Sequence, residues 1–235
     1  METYNIVVLL KLILAHVISD FMLQPKKMVE KKSQRNIYSH IKHASVHAAL
    51  AYIILFEWML WYVPLIILTT HFAIDYFKTY CSKNLSNAVL FAADQILHLL
   101  VIIALWIIII PHNSAYIISG LQAEQKYIWA YITGILLLLK PSSVTISAFT
   151  EKWKIDNTGL KEAGLWIGYL ERLLIFLFIM MSWYEGIGFL LAAKSIFRFG
   201  ELKNEDLKTT EYVLIGTFAS FLIATVIGLL IKSVL

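Results

Sequence analysis

Asp94-Gln-Ile-Leu-His98-Leu-Leu-Val-Ile-Ile-Ala-Leu-Trp-Ile-Ile-Ile-Ile110 is an apolar run that carries a carboxylate and an imidazole one helical turn apart. Its last part, Leu99–Ile110, has no charged residue, and Thr217–Leu230 forms a second such run. A helix crosses a bilayer with about 20 mostly apolar residues, and the first run reaches that length with the residues before it. The whole chain of 235 residues is 59% hydrophobic and only 15% charged. Soluble domains average roughly 25% charged residues, so an all-α, polytopic transmembrane bundle is the class that fits. The expected partner is the lipid bilayer, with no nucleic acid.

On the length rule there are about eight spans: Tyr4–Leu23, Ile37–Phe56, Leu60–Tyr80, Leu85–Ile110, Tyr127–Ala148, Leu160–Trp183, Gly186–Phe199 and Tyr212–Val234. The seventh is short. Pro64 falls in the first turn of the third, where its missing N–H costs little, and Pro141 predicts a kink inside the fifth. No linker or low-complexity tract interrupts the series, so residues 1–235 read as one membrane domain. Its first half, 1–110, is rich in His and Asp, and its second, 111–235, has buried basic residues. The first stretch follows Glu2 and contains His16 and Asp20, which reads as a permanent helix rather than a cleaved signal. A single cysteine, Cys81, excludes an intramolecular disulfide and a thiolate-only zinc site.

Cytoplasmic connections are enriched in Lys and Arg. The odd-to-even connections carry Lys26, Lys27, Lys31, Lys32, Arg35, Lys78, Lys83, Lys152, Lys154, Lys161, Lys203 and Lys208, whereas the opposite face has only Lys126 and Lys232. With an even span count, both termini face away from the cytoplasm, in a cell inner membrane.

Four clusters of ionisable groups sit on these apolar helices: His16/Asp20, His40/His43/His47, His71/Asp75 and Asp94/His98. Such groups are expensive inside a bilayer and call for a compensating partner. Because successive spans run in opposite directions, ends of odd spans and starts of even spans share one membrane face. All four clusters fall roughly 5–15 Å below the cytoplasmic boundary at about 1.5 Å per residue. At about 100° per residue, His40, His43 and His47 lie within an arc of roughly 60°, and each i, i+4 pair points one way from its helix. Nine side chains, His16, Asp20, His40, His43, His47, His71, Asp75, Asp94 and His98, thus form a candidate metal site. Imidazole and carboxylate together suit one or two divalent ions, zinc first because histidine dominates, with manganese or iron as alternatives. Gln24 and Gln95 are candidate outer donors. Any single His/Asp pair has a plainer reading as an interhelical clasp or a proton relay; four at one depth favour metal.

The second half has its own buried charges: Glu171 and Arg172 on span six, Lys194 and Arg198 on span seven. Glu171 and Lys194 fall at similar depth and suit an ion pair. Alternatively the set, Arg172, Lys194 and Arg198 with Glu171, lines a site for an anionic substrate group. Gly186 and Gly188 read as points of close helix approach.

At these residues the chain resembles a bacterial membrane family known only as domain of unknown function 3307. The matching stretches are His16-Val-Ile-Ser-Asp20-Phe-Met-Leu-Gln24, His40 to His47, His71-Phe-Ala-Ile-Asp75 and Asp94-Gln-Ile-Leu-His98. In the second half they are Gly168–Leu173, Ile187–Gly200 and Glu211-Tyr-Val-Leu-Ile-Gly-Thr-Phe. The resemblance implies a membrane location and no activity. The His/Asp clusters of the first half are also similar in style to bacterial membrane-bound metal-dependent hydrolases. The expected function is therefore a metal-dependent hydrolase on a membrane-associated, anionic, lipid-like or phosphate-bearing substrate at the cytoplasmic side. There Asp20, Asp75 or Asp94, whichever does not ligate, serves as general base. The alternative is a transporter of divalent metal, or of protons coupled to an anion, using the same groups. A structural partner of a larger membrane complex is the third reading, and it predicts no metal.

Overall fold

Helix is the only regular structure among the described residues of the computed structural model, which are 2–81, 85–112, 121–154, 162–201 and 207–235. The helices are α1 (Glu2–Val17), α2 (Lys26–Ser33), α3 (Ile37–Leu55), α4 (Tyr62–Cys81), α5 (Asn87–His112), α6 (Leu121–Leu138), α7 (Lys140–Thr150), α8 (Ala163–Met180), α9 (Tyr184–Glu201) and α10 (Leu207–Val234). A π-helical turn, Ile18–Met22, continues α1, and a 3-10 turn, Glu151–Trp153, ends α7. Lys83, Leu160, Lys161 and Lys203 lie outside the described residues, as does the side chain of Arg198.

Among the described residues five stretches are long and apolar enough to cross a membrane: Asn5–Met22, Asn87–Ile109, Gln125–Trp153, Ala163–Met180 and Lys208–Val234. The other three expected spans are helical but less apolar. Three histidines interrupt α3, while His71, Asp75 and Lys78 interrupt α4. In α9, Glu185, Lys194 and Arg198 do the same.

The chain divides into two compact units, Met1–Leu136 and Leu137–Leu235. In the first, α1, α3, α4 and α5 pack as a bundle. Asn36 caps α3 by accepting from the Ser39 N–H at 3.0 Å, which satisfies one of the free donors of the first turn. At one end of the bundle Val8, Leu12, Leu55, Leu60, Val63, Ile102, Leu105 and Ile109 make a closed apolar core. Lys11 seals that end of α3 by donating to the Leu55 carbonyl at 3.2 Å. The Trp106 indole does likewise for α1, donating to the Asn5 carbonyl at 2.6 Å. The histidines gather toward the opposite end.

The second unit is organised by a helix break. Pro141 lacks an N–H and its ring crowds the carbonyl four residues back, so α6 stops and α7 restarts across Leu139, at φ −81° and ψ −115°. Each freed carbonyl finds a new donor. Ser142 Oγ donates to Leu137 O at 2.6 Å, Arg172 Nε to Leu138 O at 2.6 Å, and the Ser143 N–H to Leu139 O at 3.2 Å.

One of the two expected close approaches is present: a Cβ at Gly186 would lie 3.1 Å from the Phe178 ring of α8, whereas one at Gly188 would meet nothing within 4 Å. At Gly228 of α10, by contrast, it would lie 2.6 Å from Ile179 Cδ1 of α8. Gly228→Val should therefore destabilise the second unit by about 2 kcal/mol through overpacking. That appears as a lowered thermal midpoint in detergent, with Gly188→Val unchanged as the control. Equal melting of the two variants would contradict the close contact.

Candidate metal centre

The site is built around one carboxylate. Asp20 sits on the π turn, where the Leu23 N–H reaches back five residues to Ile18 O at 2.9 Å. Turns of this kind are rare and occur often at functional sites. Asp20 Oδ1 lies 3.0 Å from His43 Nε2, 3.0 Å from His47 Nε2 and 3.8 Å from His71 Nε2. A tetrahedral zinc ion with bonds of about 2.0–2.1 Å holds its ligand atoms about 3.3 Å apart. The three separations straddle that value. Asp20, His43, His47 and His71 form a four-ligand group whose donor atoms all lie within 4.8 Å of one another.

A second group, Asp20, Asp94 and His98, meets the same limit and shares the Asp20 carboxylate. His98 Nε2 is 3.7 Å from Asp94 Oδ1. That oxygen is buried and has no hydrogen-bond partner among the described residues, a costly arrangement that a cation would relieve. The rings are stacked closely: His47 on His71 at 3.6 Å between centroids and His71 on His98 at 4.1 Å.

Gln95 ties the two groups together. Its Nε2 donates to Asp20 Oδ2 and to Asp94 Oδ2, each at 3.2 Å, and its Oε1 stands 3.4 Å from His16 Nε2. His16 also lies 3.4 Å from Asp20 Oδ2, and it belongs to neither group. Gln24 Nε2 is 3.3 Å from His43 Nε2. Both glutamines thus contact members of the two groups.

His40 and Asp75 are in neither group. They pair with each other, His40 Nδ1 to Asp75 Oδ2 at 3.0 Å, and the same oxygen receives Lys32 Nζ at 2.5 Å. Lys32 is 7% exposed. Burial pulls its ammonium below the ordinary lysine value, and the Asp75 carboxylate opposes that pull. His40 Nε2 is buried without a partner among the described residues. Lys78 Nζ binds Asp94 Oδ2 at 2.9 Å.

These two lysines are site residues that the sequence reading treated only as markers of orientation. Lys78 had a signal, since His71, Asp75 and Lys78 follow an i, i+4, i+7 spacing on one helix face. Lys32 had none, because its reach depends on α2 folding back against α3.

Beside the imidazoles lies a cavity of about 30 Å³, lined by His16, His47, His71 and His98 with Thr70 and apolar neighbours. That is room for at least one water molecule.

In the second unit Glu171 and Lys194 form the expected pair, Nζ to Oε2 at 2.6 Å. Arg172 is 3% exposed. Besides Leu138 O it donates to Ser143 Oγ at 2.7 Å and to Ser220 Oγ at 3.2 Å.

No curated protein matches the chain, and no solved structure does. A family model does match, over residues 8–125, which contain all nine His and Asp positions and stop short of Glu171, Arg172, Lys194 and Arg198. The chain belongs to the family described as protein of unknown function (DUF3307).

Proposed function

We propose that the protein is a membrane metal-dependent hydrolase whose paired metal site opens toward the cytoplasm. The observation that carries this reading is the shared Asp20 carboxylate, ringed by imidazoles at metal-ligand spacing and common to two ligand groups. Zinc suits the first group, with three nitrogens and one oxygen; manganese or iron suits the more carboxylate-rich second group. A divalent ion there lowers the pKa of a coordinated water to near neutrality. Asp75, outside both groups and paired with His40, accepts the proton. The water oxygen then bonds to the substrate, the ester bond breaks, and the leaving oxygen takes up a proton.

A one-sided site also favours hydrolysis over transport. Beyond the imidazoles Leu12, Leu55, Leu60, Val63, Ile102, Leu105 and Ile109 form an apolar core across the bundle, a barrier to an ion passing onward. Counting the three less apolar helices as spans within the bundle gives eight crossings in an inner membrane, with both termini away from the cytoplasm. The substrate is then an anionic, membrane-associated molecule of the inner leaflet.

The test joins metal analysis of detergent-purified protein to assays of phosphate-ester and carboxylic-ester hydrolysis. One or two bound ions per chain and metal-dependent turnover are expected. Asp75→Asn should stay folded and retain its metal, melting lower because Lys32 loses its counter-charge, while turnover falls by about 10²-fold or more. Metal-free protein would refute the reading, and so would metal accumulation in proteoliposomes in proportion to the ion gradient.

A further inference from the structure

Lys32 and Lys78 ligate nothing in either group; Lys78 binds Asp94 of the second group, and Lys32 binds Asp75, which lies outside both. An ammonium has three N–H donors. Lys32 Nζ has one acceptor among the described residues, Asp75 Oδ2, so two buried donors face none. Among the described residues Lys78 pairs with Asp94 Oδ2, and its side chain is 35% exposed, within reach of an arriving molecule. The two positive charges are close enough to repel each other.

Charge bookkeeping points the same way. The carboxylates of Asp20, Asp75 and Asp94 outnumber the two ammoniums by one. With two divalent ions in place, the balance becomes three positive charges in a nearly dry site, which is costly. A carboxylate ligand would bring one charge and two oxygens. A phosphate monoester brings up to two charges and three acceptor oxygens, enough for both lysines and the ions.

We propose that Lys32 and Lys78 are paired anchors for a phosphoryl group, which makes a phosphate monoester the substrate class. This deepens the hydrolase reading and rests on its metal centre. The lysines approach the phosphate as point charges from two elements, α2 and α4, so each contributes separately to affinity. Their present carboxylate partners hold them at the edge of the site.

The probes are inorganic phosphate and dihexanoyl phosphatidic acid, each titrated calorimetrically into metal-loaded, full-length protein in neutral detergent. Metal content is read on the same samples. Lys32→Gln and Lys78→Gln should each weaken binding by about tenfold or more with metal unchanged, while Lys32→Arg stays within about threefold. Tighter binding of the lipid marks a lipid-borne substrate and equal binding a soluble ester; both uphold the anchors. Wild-type protein that holds metal but binds neither probe would overturn them, as would Lys78→Gln binding both probes like wild type. If the protein holds no metal but Lys78→Gln still abolishes phosphate binding, the anchors stand and the hydrolase reading falls.

Discussion

Asp20→Asn protein is expected to purify almost free of metal, having lost ions from both groups at once. The substitution keeps the side chain's shape and removes its charge. Oδ1 is the atom nearest to His43 and His47, and the same carboxylate belongs to the second group. Losing an outer contact of a metal ligand costs roughly 10–100-fold in affinity, and losing a shared ligand should cost more. His40→Ala is the comparison, since His40 is even more deeply buried and belongs to neither group. It should keep its full complement of metal. Elemental analysis of the two variants decides the matter: equal metal in both would mean that Asp20 is only a hydrogen-bonded clasp among histidines.

Arg172→Leu should be the most damaging substitution in the second unit. The guanidinium serves Leu138 O, Ser143 Oγ and Ser220 Oγ, joining α8 to the break before α7 and to α10. Leucine fills similar space but leaves the Leu138 carbonyl, already deprived of its helical donor by the break at Leu139, without a partner. A buried unsatisfied polar group costs about 1–3 kcal/mol, and three acceptors lose their donor here, so a loss of about 3 kcal/mol is expected. Arg172→Lys should recover only part of it, because one ammonium cannot reproduce a planar fork aimed at three oxygens. Thermal unfolding in detergent reads both variants. Wild-type melting of Arg172→Leu would show that water or lipid headgroups satisfy the break instead.

Much of the first unit was legible because two regularities act together. Helical period puts His16 with Asp20, His71 with Asp75 and Asp94 with His98 on common faces, and the alternation of antiparallel helices puts those faces at one end of the bundle. The Glu171–Lys194 pair followed from the same depth argument. The glycines followed only in part: Gly186 approaches Phe178 of α8, Gly188 meets nothing, and a tighter approach belongs to Gly228, since contact depends on which helix packs opposite.

Composition and periodicity alone determined that this chain is helical, suited to a membrane, and gathers histidines and carboxylates at one level. They could do so because hydrophobic burial and helix pitch are local properties, repeated along the chain. Only the tertiary structure decided how the nine candidates divide. It centred Asp20 through a π turn, set His40 and Asp75 apart with Lys32, and turned Arg172 onto a broken helix. Those outcomes depend on single contacts between segments distant in sequence, a few ångströms long, which no period along the chain encodes.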